Sequence, residues 1–422
     1  MEIVLIAILV TVLAFLVSAI LFPPVLWFAK VHNIVDNPNA RKLQRFPVPV
    51  LGGFAVFTGA LAGVLLLSLF AYNSIILLGF AEMAIMMIVG TWDDIRDLSP
   101  TIRFLIEIAL VLGFILITGV YIDDFHGLWG VSKLPEWLGI SLSVVIGVGV
   151  INAVNLIDGV DGYSSGYGML ACGCFSYLFW YVGATEMACL SMIVCGALLP
   201  FFLHNVFGIK SKMFIGDGGT LMLGMLMTVL SFYALSSNSE CDPYDKSGLS
   251  LTALILAIGC IPIFDTLRVM TMRMLRGVSP FKPDKTHLHH LFIDMDFSHL
   301  GAALSILFIN VAVVFVLLVA WQCGASIDVQ NYVVMALGVS VTFGFYKFMK
   351  SQQNGGEIDE DGYPQGTRFW HIVCRIGDIS QLERSRTWRR VRYIMDGPMM
   401  LGFIYKKPRI YIRKQESRKN II

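Results

Sequence analysis

The chain has 422 residues, of which 56% are hydrophobic and only 14% charged, with a formal net charge of +1. An ordinary soluble domain carries about 25% charged residues, and the mean hydropathy here is +0.72, so a water-soluble globular protein is excluded. The bilayer is the expected solvent, and no nucleic acid is expected among the partners.

Apolar runs begin at the amino terminus. Those at 3–28, 50–72, 74–92, 104–121, 138–154, 165–183, 186–205, 215–236, 250–272, 301–322 and 330–349 are each near the length of about 20 residues that a helix needs to cross the hydrocarbon. The first lacks a basic leader and a small-residue cleavage site, so it reads as a retained span rather than a signal peptide. With this count, one set of loops carries only Lys133 and Lys246, whereas the other carries Lys30, Arg96, Lys210, Lys212, Arg273 and Arg276 among others. Positive residues mark the cytoplasmic side, which puts the amino terminus outside and the carboxyl terminus in the cytoplasm. The expected fold is an all-α integral membrane protein of ten to eleven transmembrane helices.

Three regions follow from composition: a multi-pass membrane domain over 1–350, a Gly- and acid-rich linker over 351–366, and a basic cytoplasmic extension over 367–422. Alternating basic and apolar residues in RRVRYIM and GFIYKKPRIYIRK read as short strands or a hairpin. The extension is either a small cap, a basic surface lying on anionic lipid, or a stabilising appendage. Among eight cysteines, Cys172, Cys174, Cys189, Cys195 and Cys260 fall inside spans and read as small buried hydrophobes rather than a disulfide framework.

The ionisable residues gather in the loops of one side. In chain order they are Asp36 in DNPNARK, Asp93, Asp94 and Asp97 in GTWDDIRD, Asp158 and Asp161 in NAVNLIDGVDG, Asp217 in FIGDGGT, and Asp284 before the histidine run KTHLHH. A charge at a helix centre costs about 2.5 to 3.5 kcal/mol on insertion scales, so such clusters mark function by default. Asn152, Asn155, Asp158 and Asp161 are spaced by three and share one face if helical. Asp93 and Asp94 diverge by about 100° on a regular helix, so one can face a metal while the other faces a substrate group. Asp217, flanked by glycines at a helix start, is either a dipole-stabilised cap or a ligand for Mg²⁺, which takes one or two carboxylates and completes its shell with phosphate. Arg273, Arg276, Lys282 and Lys285, with His287, His289 and His290, suit a diphosphate; zinc on H-L-H-H is the weaker alternative. Asp265 and Arg268, three apart in a span interrupted by Pro262, read as a structural ion pair, and His32, His126, His299 and His371 receive no role. A transporter would show inverted repeats and ionisable groups at mid-membrane, and a scaffold would have no use for five polar clusters on one side.

Taken in order, the segments DNPNARK…PVPVLGG, GTWDDIRDLSP, NAVNLIDGVDGYSSG, HNVFGIKSKMFIGDGGTLMLG and PIFDTLRV…RGVSPFKPDKTHLHHLF resemble the polyprenyl-phosphate N-acetylhexosamine-1-phosphate transferase family (glycosyltransferase family 4). H-L-H-H is more similar to the H-I-H-H of its WecA-like branch than to the H-H-H of MraY. The resemblance implies transfer of a sugar-1-phosphate, GlcNAc-1-phosphate first, from a UDP-N-acetylhexosamine to undecaprenyl (polyprenyl) phosphate at the cytoplasmic face of the plasma membrane. UMP is released and a lipid-linked envelope glycan is started, with Mg²⁺ or Mn²⁺ required. It assigns Asp93, Asp94, Asp158 and Asp161 to catalysis, and Asp217 with Asp94 to the metal. Asn155, Asn205, Lys212, Arg276, His287, His289, His290, Arg41 and Lys42 are assigned to substrate, and a homodimer is compatible with it. Two departures are Gln44, where His often follows Arg-Lys, and Lys285, where Arg is frequent and a bidentate fork is lost.

Overall fold

The computed structural model describes residues 2–38, 44, 46–241, 248–280, 285–355, 366–377, 383 and 385–397. Each of the eleven apolar runs falls on helix. The helices are α1 (Glu2–Val31), α2 (Gly52–Ser68), α3 (Ser74–Arg96), α4 (Pro100–Thr118), α5 (Glu136–Leu156), α6 (Tyr163–Val182), α7 (Thr185–Phe207) and α8 (Gly216–Leu235). Then come α9 (Leu251–Ile258), α10 (Cys260–Leu275), the short α11 (Leu288–Asp294), α12 (His299–Gln322), α13 (Ile327–Val339) and α14 (Tyr346–Gln353), the last two joined by a π-helical turn. Among the described residues, eight helices are long and apolar enough to cross a membrane, nine when the bent pair α9–α10 counts as one span. At 17 residues α2 is the short one. The only sheet among the described residues is a two-residue antiparallel pair, β1 (Val35–Asp36) with β2 (Val48–Pro49).

Burial separates the layers. Apart from Asp217, every residue of α8 is buried, and α3, α5 and α2 pack around it. A helix apolar on all sides belongs in a core. On α1, Val10, Ala14, Phe22 and Leu26 face inward with no exposure, while Leu5, Ile8, Leu9 and Ile20 stand open, as expected where lipid replaces water. The integral membrane architecture anticipated from composition is present.

The interruption at Pro262 has a structural role. Lacking an N–H, Pro262 leaves the Ile258 carbonyl without its helical donor, and the chain bends by 72° between α9 and α10. Asn310 of α12 takes up the freed groups: its Nδ2 donates to Ile258 O at 3.1 Å, and its Oδ1 accepts from Ile261 N–H at 3.2 Å. The bend swings the polar part of α10, from Asp265 to Arg273, towards the loops that carry the carboxylates.

The extension departs from expectation. RRVRYIM is helical, not a strand. It lies in α16 (Arg386–Met395), preceded by α15 (Arg368–Gly377). Ser385 caps α16 by accepting from Trp388 N–H at 3.1 Å, and an intrahelical ladder then satisfies a backbone that a lone hairpin would leave open. GFIYKKPRIYIRK lies outside the described residues.

Candidate active site

One cavity of about 2060 Å³ collects the polar clusters. Asp36, Asp93, Asp94, Asn155, Asp158, Asp161, Asn205, Lys212, Asp217, His287, His289 and His290 all line it, although they come from separate loops and helix ends. Arg276 does not; it is exposed, and Arg273, one turn earlier, lines the cavity instead while donating to Pro280 O at 2.6 Å. Arg41, Lys42, Lys282 and Asp284 lie outside the described residues.

The first part of the site is the crossing of α3 over the start of α8. α3 remains helical to Arg96, so its two carboxylates diverge as the helical step requires. Asp93 turns to α4, with Oδ2 3.0 Å from Arg103 Nη1 and Oδ1 accepting from Leu98 N–H at 2.7 Å. Behind it, Arg103 Nε lies 3.5 Å from Glu107 Oε1, and Asn152 donates to Glu107 Oε2, forming a buried polar chain between α4 and α5. Asp94 turns the other way, where Oδ2 accepts from Gly218 N–H at 3.4 Å and the charge of Asp217 acts on it. Only glycine permits this approach. A Cβ on Gly90 would lie 2.5 Å from the Asp217 carbonyl, and one on Gly216, at φ +78°, would lie 2.6 Å from Asp94 Oδ2.

The second part is the turn between α5 and α6. Asn155 donates to Asp217 Oδ1 at 3.0 Å and Thr220 Oγ1 at 2.8 Å, tying α5 to α8. Asp158 opens onto the cavity while protein surrounds it, and accepts from Ser164 Oγ at 2.8 Å. That enclosure raises its carboxyl to about 7, against the Ser164 hydrogen bond and with help from the charges of Asp217, Asp161 and Asp36. Asp161 moves oppositely. Burial would raise it, but His299 and the Lys212 ammonium, at 3.1 and 2.5 Å from Oδ2, hold it below the usual carboxylate range. Asn205 uses both ends on backbone, accepting from Gly162 N–H at 2.6 Å and donating to Met213 O at 3.0 Å, so it sets the loops that carry Asp161 and Lys212.

The third part is the histidine loop. Asp265 is its anchor: Oδ1 receives Arg268 Nη2 at 2.7 Å, Oδ2 lies 2.9 Å from His287 Nδ1, and Leu288 N–H donates to it at the start of α11. The expected ion pair is present and also orients His287, leaving Nε2 as its other nitrogen. The His287 and His289 rings lie parallel with centroids 5.8 Å apart. His289 rests on the Asp158–Gly159 backbone, where a Cβ on Gly159 would land on the ring. Burial, reinforced by His290 and His287, holds His289 well below the usual imidazole range, so it is neutral near pH 7. Among the described residues no group of three His, Cys, Asp or Glu side chains is gathered closely enough to share a metal ion.

Two of the remaining walls matter. Phe104, Ile108, Val144, Val148, Ile263 and Leu267 from α4, α5 and α10 make one side of the cavity apolar. Gln44 lies on the rim and donates to Asp36 Oδ2 at 2.6 Å, so the position that departs from the family pattern pairs with the carboxylate eight residues before it. His299 and Arg103 are cavity residues that sequence reasoning passed over. His299 meets Asp161 across 138 positions with no local motif to announce it, and Arg103 sits in the first turn of a span as an ordinary interfacial cation would.

Residues 75–235 match the model of the family described as Glycosyl transferase family 4. A protein of Bacillus subtilis (strain 168), "Probable undecaprenyl-phosphate N-acetylglucosaminyl 1-phosphate transferase", is 31% identical over 308 residues, covering 71% of this chain and 82% of its own length. The "Undecaprenyl-phosphate alpha-N-acetylglucosaminyl 1-phosphate transferase" of Escherichia coli (strain K12) is 28% identical over 300 residues, covering 69% of this chain and 78% of its own length. The protein so named from Yersinia pestis is 28% identical over 271 residues, covering 63% and 71%.

Proposed function

Because the chain belongs to glycosyl transferase family 4, we propose that it moves N-acetylglucosamine-1-phosphate from UDP-N-acetylglucosamine to undecaprenyl phosphate at the cytoplasmic face of the plasma membrane, releasing UMP. The observation that carries this reading is the composition of the cavity. One wall is apolar and reaches down the spans α4, α5 and α10, while the opposite side gathers carboxylates, ammonium, guanidinium and imidazole. A prenyl chain fits the first and a sugar nucleotide the second. Transport would need no such pairing of a lipid-like wall with a phosphate-binding one.

In the proposed reaction an oxygen of the lipid phosphate attacks the phosphorus that bears the sugar. The new P–O bond forms as the phosphoanhydride bond breaks, and the bridging oxygen leaves on UMP. Catalysis of such a transfer is mostly positioning and charge stabilisation. Asp94 and Asp217 would hold Mg²⁺: two neighbouring carboxylates with glycine on each side suit an ion that takes one or two carboxylates plus water and phosphate. When bound, that ion neutralises phosphate charge. Arg103, Lys212 and Arg273 supply fixed positive charge, and the neutral His289 supplies an imidazole that can donate to an anionic oxygen. A phosphate nucleophile is already ionised at neutral pH, so Asp158 serves as a proton acceptor only for the fraction that is not.

The test is purified protein in detergent with undecaprenyl phosphate, Mg²⁺ and UDP-N-acetylglucosamine, following UMP and labelled lipid together. UMP that appears only with both acceptor and metal supports the reading. Release from a different UDP-N-acetylhexosamine alone would change the sugar, and no release across a panel by folded protein would overturn the transferase.

A further inference from the structure

Asp396, at the end of α16, accepts hydrogen bonds from the backbone N–H groups of Ile209 (3.2 Å), Lys210 (3.0 Å) and Ser211 (2.9 Å) and from Ser211 Oγ (2.9 Å). These successive amides form an anion-binding concavity, here filled from 185 residues away by the chain's own carboxylate. Trp388 packs on Phe207 at the end of α7, with ring centroids 4.6 Å apart. α16 is thereby fastened to the loop that ends in Lys212, the partner of Asp161.

The fastening points one face of α16 inward. Trp388 and Arg392, four residues apart and so stacked on one side of the helix, line the substrate cavity, whereas Arg386, Arg389, Arg390 and Tyr393 line a separate outer depression. Trp388 is 8% exposed, and its Nε1, like Nε of Arg392, is a buried donor with no hydrogen-bond partner among the described residues. Buried donors are rarely left unsatisfied; both atoms are closed off from solvent, but their side chains line a cavity whose proposed substrates are rich in acceptor oxygens. The apolar wall belongs to α4, α5 and α10, whereas α16 sits at the α7 end beside Lys212. Its cavity-lining side chains therefore belong with the polar end proposed for the soluble substrate, not with the path of a prenyl chain.

We propose that α16 is a wall of the sugar-nucleotide site, latched in place by Asp396 and packed through Trp388, with the Arg392 guanidinium donating hydrogen bonds to the nucleotide donor. This rests on the transferase reading above. It gives the extension a substrate-binding role that its position after a linker does not announce, and it makes donor affinity depend on a segment outside the membrane domain.

The experiment uses the full-length protein in detergent and measures kcat and KM for each substrate in the wild type, Arg392→Ala, Arg392→Lys and Asp396→Ala, with thermal melting to confirm folding. A charge-assisted hydrogen bond predicts that Arg392→Ala raises the donor KM about tenfold or more. Arg392→Lys should recover part of this, and the KM for undecaprenyl phosphate should stay within about twofold of wild type. Asp396→Ala should raise the donor KM in the same way, and UDP-N-acetylglucosamine should slow tryptic cleavage at the α16 arginines in the wild type but not in this variant. Unchanged donor KM in folded Arg392→Ala and Asp396→Ala, or a rise confined to the lipid acceptor, would overturn the assignment. A wild type inactive on every UDP-N-acetylhexosamine would instead overturn the transferase reading; donor binding by tryptic protection would then decide α16 by itself.

Discussion

Two acidic regions of the cavity are built on opposite principles. Where α3 crosses the start of α8, Asp94 and Asp217 are brought together by glycines and their like charges act on each other. At the turn between α5 and α6, Asp161 is met by Lys212 at 2.5 Å and by His299 at 3.1 Å. The first concentrates negative charge and so favours an incoming cation. The second has compensated its charge within the chain, which fits a residue that holds its neighbours in position. A carboxylate held below its usual range is also a poor base, so of the two aspartates in D-G-V-D it is Asp158, raised to about 7, that is suited to accept a proton.

The largest expected effect lies in the first region. Asp217→Asn keeps the size and the Asn155 contact but removes the charge; turnover should fall about a thousandfold or more with Mg²⁺ present, while the melting temperature holds. Activity near wild type would remove Asp217 from the proposed metal pair. In the second region, Asp161→Asn should cost about 10- to 100-fold, the range for a residue acting through those it orients. A loss equal to that of Asp217→Asn would erase the distinction. Smaller again is Gly159→Ala: the added methyl collides with His289, and because the ring sits in a helix of only seven residues that can give way, about a tenfold loss of kcat/KM is expected. Retention of full activity would show that His289 need not rest on that backbone.

Much of this arrangement could be read before any coordinates. The eleven apolar runs land on helices because bilayer thickness sets their length, and the 100° step between adjacent helical residues separates Asp93 from Asp94 as expected. Pro262 announced a break in its span. The failures are equally physical. Arg273 and Arg276 differ by less than one turn, and nothing in RMLRGV says which will lie against Pro280 and which in the open. His299 is an isolated histidine until tertiary packing brings it to Asp161. In the extension, basic–apolar alternation in RRVRYIM favoured a strand, yet Ser385 as a cap, followed by Trp388, Val391 and Met395 at spacings of three and four, is a helix signal of comparable strength. The Asp396 contact that anchors α16 is long-range and absent from the local pattern.

The smallest expected effect is a difference in sign. Both aspartates titrate near pH 4 in an unfolded chain. Asp158 is raised to about 7 on folding, so between about pH 4 and 7 the folded state holds a proton that the unfolded state has lost, and stability falls as pH rises through that window. Asp158→Asn carries no such penalty; its melting temperature relative to wild type should climb from pH 4 to 7 and then level. Asp161 is lowered, so its contribution is present above about pH 4 and fades as pH falls through the folded value. Asp161→Asn should therefore be the less stable protein at neutral pH, with the deficit shrinking only in acid. Melting curves of both variants and the wild type, taken without substrate from acid well below pH 4 up to pH 8, test the pair together. Slopes of the same sign would mean that Asp158 and Asp161 share one environment, and the contrast between a carboxylate poised for protons and one already neutralised would fail.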